Sequence, residues 1–408
     1  MFWTEANRLI FSGTTGEDIL PVIAALHNLI NKQGYSDIIL DFARLDKINN
    51  SYMLPLVATA RLYRKQKIEF TIALPVDIKC SNLVVNTNWA HLIAPESFDP
   101  MDEKNVQHLS AIQYLNGDEQ FIAVNRCMDV ILKSLKGLDR GRVKALEWSL
   151  NEITDNVLNH AESPIGGIVQ VVTNAKLGWV DFYECDASVG IPKTLRQGRP
   201  ELKDDASALR QAIEEGVTRN RSTNQGNGLY GTFKCCEVSG GSFNVLTGRV
   251  SLHFVPGSLN VTTNQIPLNG TFIHASIRYD IENLLERALI FKGRQHDPGN
   301  DYIERVYLIS GESISFSVLN ELDSFGTRVA GRLARTKIEN LMDNKKRTIE
   351  FDFEGIHLIS SSFADEVFGF IFAELGPIRF GNLCQFKNVD PTVQALIDRS
   401  IYQRMKQA

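Results

Sequence analysis

The sequence predicts an α/β protein made of a central unit flanked by two smaller ones. One observation is a long helical period, in which apolar residues recur every three or four positions from Val143 to Val157. A second is a set of short apolar runs typical of buried strands, such as residues 37–42 and 179–186. A third is the alternation of such runs with helical stretches near both ends of the chain. This alternation favours small α/β units on either side of a larger centre.

Composition limits the classes of function. A length of 408 residues allows two or three domains. The formal net charge of −5 argues against a dominant nucleic-acid role, because proteins of that class usually present a basic surface. No run reaches the roughly 18 apolar residues of a membrane span, and the amino terminus lacks a basic, cleavable leader. Six cysteines without CxxC spacing are typical of free thiols in a reducing compartment. We therefore expect a cytoplasmic protein without membrane contact.

The stretch 146–160 carries the first candidate site. Beside its apolar stripe lies a polar one, formed by Glu152, Asn156, Asn159 and His160. Because residues four apart lie above one another on a helix, the Glu152 carboxylate and the Asn156 carboxamide share a face. Oxygen groups so placed suit a hydrated Mg²⁺. On this stretch alone, the solvated face of an ordinary amphipathic helix explains the pattern better.

Later motifs change that balance. A strand ends in an aspartate and turns at a glycine, a G-x-G-x-x-G cluster opens a helix, and a further strand starts with Gly-Thr. With the E-x-x-x-N spacing of the first helix these make four motifs. In chain order their residues are Glu152 and Asn156; Asp186 and Gly190; Gly226, Gly228 and Gly231; and Gly270 and Thr271. Together they resemble the GHKL superfamily, which includes DNA gyrase, heat-shock chaperone ATPases, sensor histidine kinases and MutL-type ATPases.

The resemblance implies a Bergerat-type α/β sandwich over residues 120–280, with helices on one face of a mixed sheet. ATP would lie between the helix that carries Glu152 and Asn156 and the glycine loops. It implies that Asp186 accepts a hydrogen bond from adenine, with Thr271 supporting that carboxylate or its water. Mg²⁺ would be coordinated by Asn156, with Asn159 and His160 close by. The glycines would let backbone approach the nucleotide, and their N–H groups would attract phosphate.

Two further points bear on the reaction. In the ATPase branches the counterpart of Glu152 is a general base acting on water, whereas in the kinase branches it orients the metal or a hydroxyl. Ser188 stands where the family's first glycine is expected. If that position has positive φ, the serine adds strain of about 1–3 kcal/mol and weakens or reshapes the adenine pocket. Nucleotide binding is therefore the safer expectation and turnover the less secure one.

Residues 192–225 form a polar insertion at the position of the family's mobile ATP lid. It contains one short predicted helix, residues 205–215, and six basic residues, namely Arg196, Arg199, Lys203, Arg210, Arg219 and Arg221. A long insertion between phosphate-binding glycines usually has a functional reason, and we expect a lid here. A solvated loop is the alternative.

The two ends of the chain repeat a short pattern. Residues 41–52 (DFARLDKINNSY) and 352–363 (DFEGIHLISSSF) align at a constant offset of 311. In both, a buried strand is followed by a loop and a helix that opens with polar residues. The pattern looks like the STAS fold of anti-sigma-factor antagonists, in which a serine at this helix start is phosphorylated by a GHKL-type kinase. The positional counterparts are Ser362 or Ser361, and Ser51; simple helix capping by these serines is the alternative.

The expected domains are a STAS-like unit (1–78), a linker or cap (79–119), the GHKL unit (120–280), a linker (281–301) and a second STAS-like unit (302–408). The resemblance implies ATP and Mg²⁺ as ligands, and a protein partner bound through the STAS-like units. Three functions stay open: an ATPase-driven switch, a serine/threonine kinase of the partner-switching type, and a non-catalytic nucleotide sensor. The oligomeric state is open too, although dimers are common in the resembled family.

Overall fold

The computed structural model describes residues 1–16, 18–101, 110–217, 228–291, 293–295, 302–310, 313–343 and 347–406. Helices and strands alternate along the chain, and the α/β class predicted from the sequence is confirmed. The chain divides into two compact units. The first comprises residues 1–127, 145–173 and 178–297, and the second comprises residues 128–144, 174–177 and 298–408. Among the described residues, no helix is both long enough and apolar enough to cross a bilayer.

The first unit begins with a four-stranded sheet in the order β1-β2-β3-β4. An antiparallel hairpin, β1–β2, is followed by two parallel strands. The elements are β1 (Phe2–Glu5), β2 (Arg8–Thr14), α1 (Leu20–His27) with a π-helical continuation (Asn28–Lys32), β3 (Asp37–Lys47), α2 (Asn50–Lys65), β4 (Glu69–Ala73), α3 (Ile78–Asn86) and α4 (Trp89–Ile93).

A five-stranded sheet in the order β5-β6-β7-β9-β8 forms the rest of this unit. Its elements are β5 (Ile112–Tyr114), α5 (Gly117–Ser134), α6 (Arg140–Asn156) with a π-helical continuation (Val157–Ala161), β6 (Gly167–Asn174), β7 (Trp179–Asp186), α7 (Ile191–Gly198), α8 (Asp205–Ala212), α9 (Gly228–Ser239), β8 (Ser242–Val255), β9 (Ser258–Arg278), α10 (Leu284–Ala288), β10 (Ile290–Phe291) and β11 (Arg294–Gln295). The last two strands pair with each other as a short antiparallel hairpin.

Helix α2 is buried all round. Nine consecutive residues, from Tyr52 to Ala60, are buried, although an amphipathic helix would leave one side in water. The cause is that α2 packs between its own sheet and the larger one: a single cluster of buried side chains includes Tyr52 together with Ile168, Tyr183 and Phe272 of the larger sheet. The N-terminal sheet and the central sheet therefore share one core.

The stretch 79–119, which we expected to be a linker or cap, is more ordered than predicted. Helices α3 and α4 occupy most of residues 78–93, and β5 joins the central sheet through its antiparallel pairing with β6. Trp89 is fully buried, and its indole N–H donates to Oε1 of Gln170 at 3.2 Å. The polar residues and prolines of this stretch favoured an irregular segment, although it contains the buried Trp89.

The second unit contains a sheet in the order β12-β13-β14-β15. Its elements are α11 (Tyr302–Tyr307), β12 (Leu308–Ser310), β13 (Ser313–Ser317), α12 (Val318–Glu321), α13 (Arg328–Leu341), β14 (Ile349–Asp352), α14 (Ser361–Ala364) with a π-helical continuation (Asp365–Gly369), α15 (Phe370–Leu383), β15 (Cys384–Lys387) and α16 (Pro391–Met405). Strands β12 and β13 are antiparallel, and the remaining neighbours are parallel.

This strand order, with its directions, is the same as in the N-terminal sheet. The offset of 311 seen in the sequence also relates the first residues of α2 and α14, Asn50 and Ser361. The repeat is therefore one of topology as well as of sequence.

The turn between α5 and α6 belongs to the second unit, where α13 holds it. The Asn340 side chain donates to the carbonyl oxygens of Leu132 and Leu135 at 2.9 and 2.6 Å, and it accepts from the Leu138 N–H at 3.0 Å. One turn earlier, the buried Lys337 ammonium pairs with Asp129. Helix α5 is thus capped at its C-terminal end by a residue of the C-terminal domain.

Candidate functional site

Helix α6 presents the two stripes expected of it. The apolar positions Val143, Leu146, Leu150, Ile153 and Val157 are all buried. On the polar stripe, Glu152 and Asn156 are half-buried and Asn159 is exposed, whereas the His160 side chain lies outside the described residues. Glu152 and Asn156 are therefore the residues of this stripe that are suited to a binding site.

The Glu152 carboxylate lies against the first residue of α9. A Cβ placed on Gly228 would stand 2.0 Å from Oε2 of Glu152, so a side chain at position 228 would displace the carboxylate from its present place. Burial, with a smaller contribution from the charge of Asp155, raises the pKa of Glu152 to about 7. A carboxyl group of this kind changes its protonation state near neutral pH, as a general base requires.

Asp186 ends β7 and is 4% exposed. Its Oδ1 accepts hydrogen bonds from the N–H groups of Ser188 at 2.8 Å and Thr271 at 3.2 Å. Burial raises the pKa of Asp186 to about 6, and hydrogen bonding by the Ser188 side chain and by these two N–H groups opposes the rise. The hydroxyl of Thr271 pairs with the hydroxyl of Thr247 at 3.0 Å, so its support for Asp186 comes from the main chain.

Ser188 fits its position without strain. It is not among the residues with positive φ, so the strain expected of a serine in that conformation does not arise. Its hydroxyl accepts from the Gly190 N–H at 3.1 Å. Gly190 does have positive φ (84°), and a Cβ there would stand 2.8 Å from the Thr247 hydroxyl. The turn after β7 therefore needs one glycine, and position 188 is free to carry a side chain.

The third glycine of the cluster has a packing role. A Cβ on Gly231 would stand 2.1 Å from the indole ring of Trp148, so Gly231 serves the packing of α9 against α6. That this glycine also lets backbone approach a ligand stays a prediction. Gly226 lies in residues 218–227, outside the described residues.

The described part of the lid segment has a core of its own. Helices α7 and α8 enclose a small apolar cluster that includes Leu195, Leu202 and Ala208. The Arg196 guanidinium joins the two helices, because it pairs with Asp205 at 3.0 Å and donates to the Leu202 carbonyl at 3.2 Å. Residues 191–212 are therefore not a purely solvated loop. Of the six basic residues of this segment, Arg219 and Arg221 lie outside the described residues.

The serines at the repeated helix starts are not the capping residues. Asn49 caps α2 by accepting from the Ser51 N–H, and Ser360 caps α14 by accepting from the Phe363 N–H. The alternative that Ser51, Ser361 or Ser362 serves as the cap is therefore wrong. Ser361 is exposed, whereas Ser362 is half-buried with its hydroxyl 3.0 Å from that of Ser360.

Some residues near the site were not expected from the sequence. Asp155 and Glu184 bring two more buried or half-buried carboxyl groups close to Glu152 and Asp186. The signal for Glu184 was present, since alternation along a strand places residues two apart on the same face. The sequence pattern did not indicate the contact between Trp148 and Gly231, because only the three-dimensional packing brings these two residues together.

Comparison with sequence families matches residues 330–394 to a STAS-like domain of unknown function (DUF4325). The match covers α13, β14, α14, α15 and β15, and so identifies this part of the second unit as STAS-like. A search of characterised proteins gave no match to the chain.

Proposed function

We propose that the first unit binds ATP and hydrolyses it, and that this activity switches the binding of a protein partner by the STAS-like part of the chain. The observation that carries the proposal is a pair of carboxyl groups, one near the end of helix α6 and one at the end of strand β7. Asp186 is buried and held by two main-chain N–H groups, and Glu152 lies against the start of α9 with a pKa of about 7. Their order in the chain and their surroundings are those that the GHKL resemblance implies.

In this proposal, Asp186 recognises the base. Two N–H donors fix its Oδ1, which leaves acceptor capacity on the second oxygen for an exocyclic amino group. A buried carboxylate that loses such a partner costs free energy, so the site discriminates in favour of a base with an amino group.

The phosphates would meet the start of α9. This helix has twelve residues, and its first N–H groups, with the helix dipole, favour anions. Glu152 beside that end would accept a proton from an attacking water. Its half-protonated state near pH 7 means that the rate of hydrolysis should rise with pH through this range.

A divalent ion would enter with the nucleotide. Within the described residues, no group of three or more His, Cys, Asp or Glu side chains is arranged to hold a metal. The half-buried Asn156 amide supplies one oxygen, which fits Mg²⁺ held mainly by substrate phosphates and water. When bound, Mg²⁺ neutralises phosphate charge.

The test is incubation of the purified chain with γ-labelled ATP and Mg²⁺, together with equilibrium binding of ATP and GTP. We expect ATP binding that is lost in Asp186→Asn, and phosphate release that is lost in Glu152→Gln while binding persists. Asn156→Ala should remove the dependence of binding on Mg²⁺. No ATP binding by the wild-type chain would refute the proposal, and binding without phosphate release would leave the nucleotide-sensor alternative.

A serine/threonine kinase is the second candidate, favoured by the exposure of Ser361 at the start of α14. Ser51 is a poor acceptor for its own unit's site. Strand β7 directs Tyr183, which shares a buried cluster with Tyr52 of α2, to one face of the sheet, and Asp186 to the other. Label retained on the chain and lost in Ser361→Ala, with Ser51→Ala as the control, would support the kinase. Mixing labelled and unlabelled variants would distinguish transfer between two copies from transfer within one.

A further inference from the structure

The second unit contains a cavity of about 210 Å³ that the proposed reaction does not use. Gly137 and Leu138, in the turn between α5 and α6, form one wall, and residues of α13 and α15 form the others. All of these residues belong to the second unit. At about 30 Å³ for each water molecule, the volume suits a ligand of about seven non-hydrogen atoms.

The buried part of the cavity lining is apolar. It consists of Leu138, Met342, Ile371 and Leu375, each of which is at most 8% exposed. These side chains offer no strong hydrogen-bonding group, and they favour contact with hydrocarbon. The part of a ligand that lies against them should therefore be apolar.

The more exposed part of the lining is acidic. Glu374 on α15 is exposed and Glu339 on α13 is half-buried. The Arg335 guanidinium lies 3.6 Å from Oε1 of Glu339, but it also pairs with the buried Glu366 at 3.0 Å, so it neutralises Glu339 only in part. Among the described residues that line the cavity, none carries a positive charge. This part of the cavity therefore favours a cation.

Asn340 is the remaining polar side chain of the lining, and its hydrogen-bonding groups are already engaged. Its amide donates to the carbonyl oxygens of Leu132 and Leu135, and its Oδ1 accepts from the Leu138 N–H. The side chains that line the cavity thus present carboxylate acceptors and no spare donor. A ligand must bring the N–H groups itself.

Two helices end at the cavity and add to its attraction for a cation. Met342 is the C-terminal cap residue of α13. The helical run that starts at Ser361 reaches Leu375 and breaks at Gly376, where φ is 74° and Pro377 follows. The C-terminal end of a helix carries a partial negative charge. The helix ends and the two glutamates therefore select the same sign of charge.

We propose that this cavity binds a small organic monocation, an ammonium or amidinium group on a short hydrocarbon body. The charged group lies between Glu339 and Glu374, and the body packs against Leu138, Met342 and Ile371. A dication of similar length is disfavoured, because its second charge would lie against the apolar lining without a partner. The inference does not rest on nucleotide binding.

The first test uses n-hexylammonium, which matches the size of the cavity, titrated into the full-length chain and followed by ligand-observed NMR at neutral pH. We expect saturable binding, with 1-hexanol and the dication of 1,6-diaminohexane each at least about tenfold weaker, because one lacks the charge-assisted hydrogen bonds and the other carries an unpaired charge. Failure of hexylammonium to bind would overturn the proposal. Equal binding of hexanol would refute recognition of a cation, and equal binding of the diamine would refute the apolar end.

The second test locates the site by substitution at its exposed edge. Glu374→Gln should weaken hexylammonium binding about tenfold, the value of one charge-assisted hydrogen bond, and Glu374→Lys should abolish it. Glu354→Lys makes the same change of charge at an exposed glutamate before α14 and should leave the affinity unchanged. Thermal unfolding checks that each variant is folded. Equal losses in the two lysine variants would show only non-specific attraction to an acidic protein, and binding that survives Glu374→Lys would place the amine elsewhere; either result refutes the site.

Discussion

The side-chain amide of Asn340 donates to the carbonyl of Leu135 at 2.6 Å across 205 residues of chain. This bond, with those to Leu132 and Leu138, satisfies main-chain groups at the end of α5 that have no partner within the helix. Within the second unit, α13 therefore completes the turn from which α6 begins.

Replacing Asn340 should destabilise the second unit strongly. Asn340→Ala leaves two carbonyls and one N–H without their buried partner, and we expect a loss of about 2–4 kcal/mol in the free energy of unfolding. Urea denaturation followed by circular dichroism measures it. The matched control is Asn320→Ala, an exposed asparagine of α12, with an expected change within about 0.5 kcal/mol. Equal effects of the two variants would show that the Asn340 hydrogen bonds are not important.

Glu152 should make stability depend on pH. Its pKa is raised from 4.5 to about 7 in the folded state. Folding therefore favours the protonated form, and this contribution is fully present below pH 4.5 and lost as the pH rises through about 7. Glu152→Gln removes the dependence, so it should be more stable than wild type by up to about 3 kcal/mol at pH 8 and equal to it at pH 4.

The measurement is urea unfolding of both proteins from pH 4 to pH 8. Glu69→Gln, at an exposed glutamate of β4, serves as the control and should shift stability equally at both ends of the range. If the difference in unfolding free energy between Glu152→Gln and wild type does not grow from pH 4 to pH 8, the pKa of Glu152 is not raised by burial.

Gly231→Ala should disturb the contact between α9 and α6. The new methyl group would stand 2.1 Å from the Trp148 ring, and overpacking of this kind costs about 1–3 kcal/mol. Thermal unfolding and tryptophan fluorescence would detect it. Adding Trp148→Leu should recover part of the loss by making room, and Gly381→Ala, where nothing lies within 4 Å, is the control. An undisturbed Gly231→Ala protein would mean that the indole can move aside.

The burial of α2 on every side can be tested with two substitutions. Val57 and Thr59 are both buried and lie about 200° apart around the helix. An amphipathic helix would tolerate aspartate at one of them, whereas a helix between two sheets should tolerate it at neither. Each of Val57→Asp and Thr59→Asp should cost about 4 kcal/mol or more, measured by chemical denaturation. Ala373→Asp, exposed on α15, is the control.

Strongly periodic segments were predictable from the sequence. Helix α6 and strand β7 lie where their patterns place them, since each buries the apolar side chains of its pattern. The hairpin of β1 and β2, strand β13 and helix α7 were missed, because short or half-buried segments have little periodicity to read. The sequence pattern predicts two strands over 242–246 and 250–255, but these residues form a single long strand, β8, whose register with β9 shifts at Gly248.

The site residues taken from the motifs stay a prediction, and the structure adds what some of them pack against. The motif located Gly231 and Ser188, but the meaning of each depends on neighbours distant in sequence. Trp148 explains the first and an ordinary backbone conformation explains the second. The capping residues were placed wrongly by one or two positions, as helix boundaries often are, since Asn49 and Ser360 precede the serines that we considered.

The repeated topology has a consequence for how the two ends of this chain can evolve. If they descend from one duplicated ancestor, they no longer face the same selection. The copy around α2 is buried between two sheets of the first unit, so substitutions there must suit both sheets at once. The copy around α14 keeps an exposed helix start, where a lineage can change residues without disturbing a core. New partner specificities are therefore expected to arise at the C-terminal copy, while the N-terminal copy drifts slowly as part of the scaffold.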